Sequence, residues 1–253
     1  MIPSARSIGQ RFRRRRATVL ARRASADAAR KLKAHAELWQ ILEEYRGRSN
    51  STGCSFTDYW QLYSLVRKMR PAEILECGTG VSTVVMAAAL RDNEREYGTP
   101  GRIASMEDCT HWFEHAKDIF PRELEPYVDI VFSPQTKYRE RFFCGVGYES
   151  IPRRRYELVF IDGPDDPRSS AGALTVDLDF IRLLRTSARP VLGVIDGRLA
   201  TCLAYQALLG LDKVRFEPVL GLTFVGPCSR KDLEVPQPGI AWGRRAQRGF
   251  YTL

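Results

Sequence analysis

From Pro71 onward the chain alternates short apolar runs with stretches of helical character, and this rhythm limits the available folds more than any other feature. The runs are "AEILECG" (72–78), "GRIASMED" (101–108), "VDIVFS" (128–133), "YELVFIDG" (156–163), "PVLGVIDG" (190–197) and "FEPVLGLTFVG" (216–226). Helices are predicted between most of them, over 82–92, 110–119, 171–187 and 198–209. Strands separated by helices require right-handed crossovers, hence an α/β fold: a doubly wound, mostly parallel sheet covered on both faces. The last run, followed by "GIAWGRRAQRGFYTL", is expected to add an antiparallel pair at the sheet's end.

Ahead of that rhythm lies an N-terminal helical extension. Residues 17–46 contain few Gly or Pro and place Leu38, Ile41, Leu42 and Tyr45 at the spacing of one helix face. "RGRSNSTGCS" (46–55) is a loop of small turn-forming residues. "FTDYWQLYSLVRKM" (56–69) is an amphipathic helix, capped by Thr57 and ended before Pro71. A chain of 253 residues, 44% of them apolar, suits one large domain with short additions. The expected divisions are a basic arm over 1–35, helices over 36–70 that cap the substrate side, and the main domain over 71–253.

The net charge of +9 sits in the arm. Residues 1–33 hold eleven Arg and Lys against Asp27, a net +10, so the rest of the chain carries −1. An Arg-rich, acid-poor start containing serines has the composition of an organelle transit peptide. It equally suits a helix lying on an anionic surface, a nucleic-acid contact or a plain solvated extension. The near-neutral body argues against nucleic acid as the partner. No apolar run is long enough to span a bilayer. A cytoplasmic location is expected, with organelle targeting or a peripheral membrane contact through the arm as alternatives. The six cysteines, at 54, 77, 109, 144, 202 and 228, form no C-x-x-C pair. Zinc-knuckle and redox motifs therefore lack support, and a reducing compartment is the better fit.

In a doubly wound sheet, ligands bind beyond the carboxyl ends of the strands. Those ends carry Glu76, Glu107, Ser133, Asp162 and Asp196, of which four are acidic. The first leads into "ECGTGVST" (76–83), a tight turn opening a helix. A phosphate-binding P-loop requires a lysine after its second glycine, and none is present. A dinucleotide fingerprint finds Gly78 and Gly80 but meets Thr83 in third place. Glu76 discriminates between the remaining ligands. Facing a pyrophosphate, it would meet a like-charge clash of roughly a few kcal/mol when partly desolvated, with nothing basic nearby in sequence to offset it. An adenosine ligand with an amino group and a sulfonium, S-adenosylmethionine, welcomes the same carboxylate and carries no phosphate. Glu107 stands 27 residues after Gly80, where an acid binds two ribose hydroxyls; NAD would use that contact equally.

Together, "ECGTG", "SMED" and the later "FIDG" resemble the class I S-adenosylmethionine-dependent methyltransferase family over roughly residues 70–226. The resemblance implies a seven-stranded, Rossmann-like methyltransferase fold. It also implies that Glu76 holds the methionine amino group and that Gly78, Thr79 and Gly80 let the backbone approach the donor. Ser82 and Thr83 would cap the first helix, Glu107 would take the ribose hydroxyls, and Asp108 with Ser133 to Gln135 would border the adenine. Trp112 is expected in a helix core rather than on the adenine. The acceptor site falls at "FIDGPDD" and "VIDGR", with Asp162 as the catalytic acid.

Asp162 and Asp196 also resemble the metal-binding acids of catechol-type O-methyltransferases. Gly197 replaces the asparagine that continues that motif, so no divalent metal is expected. The "FIDGP" form is closer to a group with members that act on sugars or small metabolites, which implies O-methylation of a small-molecule or glycan acceptor. Tyr59 and Trp60 are expected to wall the donor, and Arg168 to meet an anionic acceptor group. His111 and His115, one turn apart on the adenine side, are not expected to serve as the base, and His35 in the arm helix has no claim. The alternatives are an NAD(P)-dependent oxidoreductase and an RNA-binding methyltransferase using the basic arm. The N-P-P-[YFW] tetrapeptide of amino-group methyltransferases is absent, with "IDGP" in its place.

Overall fold

A computed structural model of the chain describes residues 5–49, 54–164 and 175–235. Arg168 and the tail expected to form an antiparallel pair lie outside these residues. The described strands are β1 (Glu73–Cys77), β2 (Arg102–Glu107), β3 (Val128–Phe132), β4 (Gln135–Glu140), β5 (Phe143–Tyr148), β6 (Leu158–Ile161), β7 (Val191–Asp196), β8 (Val214–Glu217) and β9 (Leu222–Cys228). The helices are α1 (Ala5–Ala34), α2 (Ala36–Arg48), α3 (Phe56–Met69), α4 (Val81–Tyr97), α5 (Thr110–Ile119), α6 (Asp179–Thr186), α7 (Leu199–Leu209) and α8 (Arg230–Glu234). None of the described helices is long and apolar enough to cross a membrane.

Seven strands form one sheet in the order β3-β2-β1-β6-β7-β9-β8. The first five are parallel, and β9 runs antiparallel to both β7 and β8. The chain winds outward from β1 to β3 and then returns to β6 on the other side of β1. Strand order therefore reverses between β1 and β6, and a doubly wound sheet opens its ligand crevice at that point. The central strands are apolar on both faces because both are covered. Ile74 packs into a cluster with α2, α3 and α4, while its neighbour Leu75 faces α6 and α7 on the opposite side. Helix α4 is buried from Val81 to Arg91, which explains its run of alanines: small side chains let it press against the sheet and α3 together.

Several boundaries differ from the sequence reading, each for a local reason. The helix expected over 17–46 is two helices that break at His35, whose ring packs against Trp60 and Tyr63. Helix α3 is capped by Ser55 rather than Thr57; the Ser55 amide donates to Asp58 Oδ2. The run at 216–226 is not one strand. Pro218 lacks a donor and Gly221 has φ +76, so the chain reverses there and β8 pairs with β9. The helix expected from 171 begins at Asp179, since Asp177 is held extended in a bridge to Val146. The β4–β5 hairpin was not anticipated. All six cysteines are free.

Helix α3 packs Leu62 and Val66 against α4 and is also tied to it by a buried amide side chain. Asn93 of α4 donates from Nδ2 to the Val66 carbonyl at 2.9 Å and accepts from Arg67 Nη1 at 2.6 Å. Asn93→Ala removes both bonds, one of them from a charged guanidinium, although the Val66 carbonyl keeps the Arg70 amide at 2.9 Å; the loss is expected to cost ~1–3 kcal/mol in urea denaturation. A change within about 0.5 kcal/mol, typical of surface substitutions, would contradict this account of how α3 is held.

Candidate active site

The turn after β1 is organised around a buried carboxylate. Glu76 is wholly buried; its Oε1 accepts the Ser82 hydroxyl at 2.6 Å and its Oε2 the Ser105 hydroxyl at 2.7 Å. Thr79 and Thr83 extend this hydroxyl cluster, with their Oγ1 atoms 2.9 and 3.3 Å from Ser105 Oγ. Thr83 Oγ1 also accepts the Gly80 amide at 2.9 Å, as a helix-capping residue does, whereas Ser82 serves the acid. No Lys, Arg or His pairs with Glu76 among the described residues. Burial pushes its pKa from 4.5 up to about 7, the hydroxyls around it oppose the rise, and the charge of Glu107 adds to it.

Gly78 joins the two halves of the site. Its φ of +99 suits glycine, and a Cβ there would lie 3.1 Å from the Asp162 carbonyl carbon and from the Gly163 nitrogen. The glycine turn therefore lies directly against the end of β6, where Asp162 stands.

At the end of β2, Glu107 Oε1 accepts the amides of Asp108 at 3.1 Å and Cys109 at 3.0 Å, which fixes its carboxylate at the rim of the crevice. Burial raises its pKa, against the Cys109 amide hydrogen bond. Gln135, the first residue of the hairpin, donates to Asp108 Oδ2 at 2.9 Å. Ser133 is buried, and its Oγ accepts the Ser150 amide at 3.0 Å. The Tyr148 hydroxyl donates to the Met106 carbonyl at 3.1 Å. The hairpin thus closes the side of the crevice beside β2 and β3.

A second cluster stands at the ends of β6 and β7. Cys54 Sγ lies 3.5 Å from Asp162 Oδ2 and 3.8 Å from Asp196 Oδ2. Burial, and then the charge of Asp196, raises the pKa of Asp162; burial and Asp58 raise that of Asp196. Burial and the neighbouring acids push the Cys54 thiol well above its usual range. Arg198 donates to the backbone carbonyls of Asp162 and Pro164.

The site thus brings Glu76, Gly78, Thr79, Gly80, Ser82, Thr83 and Glu107 to one mouth, with Asp108, Ser133 and Gln135 beside it and Asp162 across it. Other expectations fail. Trp60 stacks on Tyr63 and the arm's Lys31 approaches its ring, so it faces α1 and not the donor turn. Trp112 is 39% exposed on α5, its ring against His111 and His115, rather than in a helix core. Sequence reasoning missed Cys54 and Asp58 as site residues. No spacing links them to the strand-end acids, and only the docking of α3 brings them there.

Sheet order and switch point define an α/β fold of the doubly wound class, with a carboxylate-backed glycine turn at its crevice. Residues 75–187 match the family model described as a methyltransferase domain. That match spans less than half of the chain and is a likeness to that family. Three solved structures illustrate the range of likeness. The O-methyltransferase TomG from Streptomyces achromogenes, in complex with SAM, is 15% identical, with 78% of this chain and 72% of that one covered and a TM-score of 0.37. The SAH-bound methyltransferase PaMTH1 from Podospora anserina is 11% identical over 89% and 97% of the two chains, with a TM-score of 0.46. The O-methyltransferase from Bacillus cereus, in complex with SAH, is 17% identical over 78% and 73%, with a TM-score of 0.38. No curated protein matches the sequence.

The buried acid has a measurable signature. The unfolded chain releases the Glu76 proton near 4.5 and the folded chain near 7, so the folded state holds the extra proton between those values. Stability of the ligand-free protein therefore falls as pH rises through that window, by ~3 kcal/mol for this group. The stability of Glu76→Gln relative to wild type is expected to climb over the same interval and then level off. A difference that stays flat across it would show that Glu76 is not buried as described.

Proposed function

We propose that this chain transfers a methyl group from S-adenosylmethionine to an oxygen of a small-molecule or glycan acceptor. The observation that carries the reading is Glu76: a carboxylate sealed beneath the donor turn with no basic partner among the described residues. That donor set fits a cationic, phosphate-free adenosine compound. It does not fit a pyrophosphate, whose like charge would have nothing to offset it, and this weighs against an NAD(P)-dependent oxidoreductase.

When bound, S-adenosylmethionine supplies an electrophilic methyl group on a sulfonium. Glu76 offers the negative charge that receives the donor's ammonium, directly or through the hydroxyls of Ser82 and Ser105. The Gly78–Gly80 backbone lets the donor lie against the turn, and Glu107 is placed to take two ribose hydroxyls. Asp108, Ser133 and Gln135 border the adenine side. Asp162, packed against the same turn from β6, lies where an acceptor hydroxyl would arrive and can take its proton as the methyl leaves. Displacement at a methyl group needs the two partners aligned more than it needs functional groups, and the Gly78–Asp162 contact fixes the distance between them.

Isothermal titration with S-adenosylhomocysteine tests the reading. Micromolar binding is expected, weakened about tenfold or more by Glu107→Ala, because two hydrogen bonds to a charged group are lost. Folded protein that binds NAD but not S-adenosylhomocysteine would defeat the proposal.

A further inference from the structure

Where α3 begins, acids gather around a thiol; the charge of Arg198 acts on Asp162 and Asp196, but Asp58 has no ion-pair partner among the described residues. Cys54 Sγ and the carboxylates of Asp58 and Asp196 each offer a donor atom within 4.8 Å of the other two. Asp162 Oδ2 borders the same space, 3.5 Å from the sulfur. Asp58 is only 4% exposed. Its Oδ2 accepts the Ser55 amide, and its Oδ1 is buried with no hydrogen-bond partner among the described residues. An unpaired buried polar atom is costly, and here it sits beside a thiol and two further acids. That combination calls for a positively charged ligand.

We propose that Cys54, Asp58 and Asp196 hold one divalent cation of borderline softness, of the Zn²⁺ or Co²⁺ kind, at the carboxyl ends of β6 and β7. A sulfur donor with two carboxylates selects such an ion over Mg²⁺ or Ca²⁺, which prefer oxygen ligands alone. The missing asparagine at Gly197 is an oxygen ligand of the Mg²⁺ type; the thiol and Asp58 come from a different element and make a different site. Three protein ligands leave a further position open. A hydroxyl-bearing acceptor taking that position would lose its proton more readily. This last consequence rests on the methyltransferase reading, whereas ion binding itself does not.

The other thiol–acid group among the described residues is a poorer host. Cys77, Asp177 and Asp179 are all fully buried. Asp179 is already engaged by Arg182 Nη1 at 2.6 Å and by the Tyr148 amide at 3.0 Å.

Titrating the chelator-treated full-length chain with Co²⁺ reads the site directly, because thiolate ligation produces an intense near-ultraviolet charge-transfer band. One equivalent per chain is expected, displaced by Zn²⁺ and indifferent to excess Mg²⁺. Cys54→Ser is expected to abolish the band, and Asp58→Asn to weaken Co²⁺ binding by about tenfold or more. Both variants should keep wild-type affinity for S-adenosylhomocysteine, which reports an intact fold. A band that survives in Cys54→Ser, or that vanishes in Cys77→Ser instead, overturns the proposal. So does the absence of any band in a chain that binds S-adenosylhomocysteine. If Co²⁺ binds as described and S-adenosylhomocysteine does not, the ion site stands and the methyltransferase reading falls.

Discussion

A carboxylate buried under a turn of backbone amides is an expensive arrangement, and the site of this protein is organised by the way Glu76 is kept there. Four hydroxyl side chains, from Thr79, Ser82, Thr83 and Ser105, cluster at or beside it, and two of them donate to its oxygens directly. They soften the desolvation without supplying a positive charge. Burial still raises the group to about 7, so the turn sits over a proton or a negative charge with no cation to match it among the described residues. A cationic ligand resolves that tension; an anionic one increases it. The same physics that makes the acid awkward for the fold makes it selective for the ligand.

The second constraint is geometric. Gly78 packs its Cα against the backbone of Asp162 and Gly163, so the donor turn and the β6 end form one contact with no room for a side chain. Hydrogen bonds continue across that line, from the Asp162 amide to the Cys77 carbonyl at 2.8 Å and from the Gly78 amide to the Met106 carbonyl at 3.0 Å. The glycine turn and the end of β6 are thereby fixed relative to one another by the sheet itself. Helix α3, clamped to α4 by Asn93, then sets Cys54 and Asp58 against the acids at the ends of β6 and β7.

Much of this was legible in the sequence, and the parts that were not share a cause. The parallel strands announced themselves because double coverage makes them continuous apolar runs, and the positions of Glu76, Gly78, Glu107 and Asp162 at or just after strand ends could be read from chain order. The β4–β5 hairpin escaped because Lys137, Arg139 and Glu140 hide its alternation, and because its turn uses Arg141 at φ +52 where an Asn-Gly signal would be expected. Trp60 was misplaced because an amphipathic helix does not say which neighbour its aromatic face will meet. In this chain that neighbour is α1. Cys54 and Asp58 could not be found by spacing at all, since their relation to Asp196 spans 142 positions for the thiol and exists only in three dimensions.

The central claim, that the charge of Glu76 selects a cationic amino-acid nucleoside, is tested most directly by comparing two ligands on two proteins. Calorimetric affinities of S-adenosylhomocysteine and of plain adenosine, which lacks the ammonium, would be measured for wild type and Glu76→Gln. The account predicts that the substitution weakens S-adenosylhomocysteine by about tenfold or more, the value of one lost charge contact, and leaves adenosine unchanged. Equal losses for both ligands, or no loss for either, would contradict it.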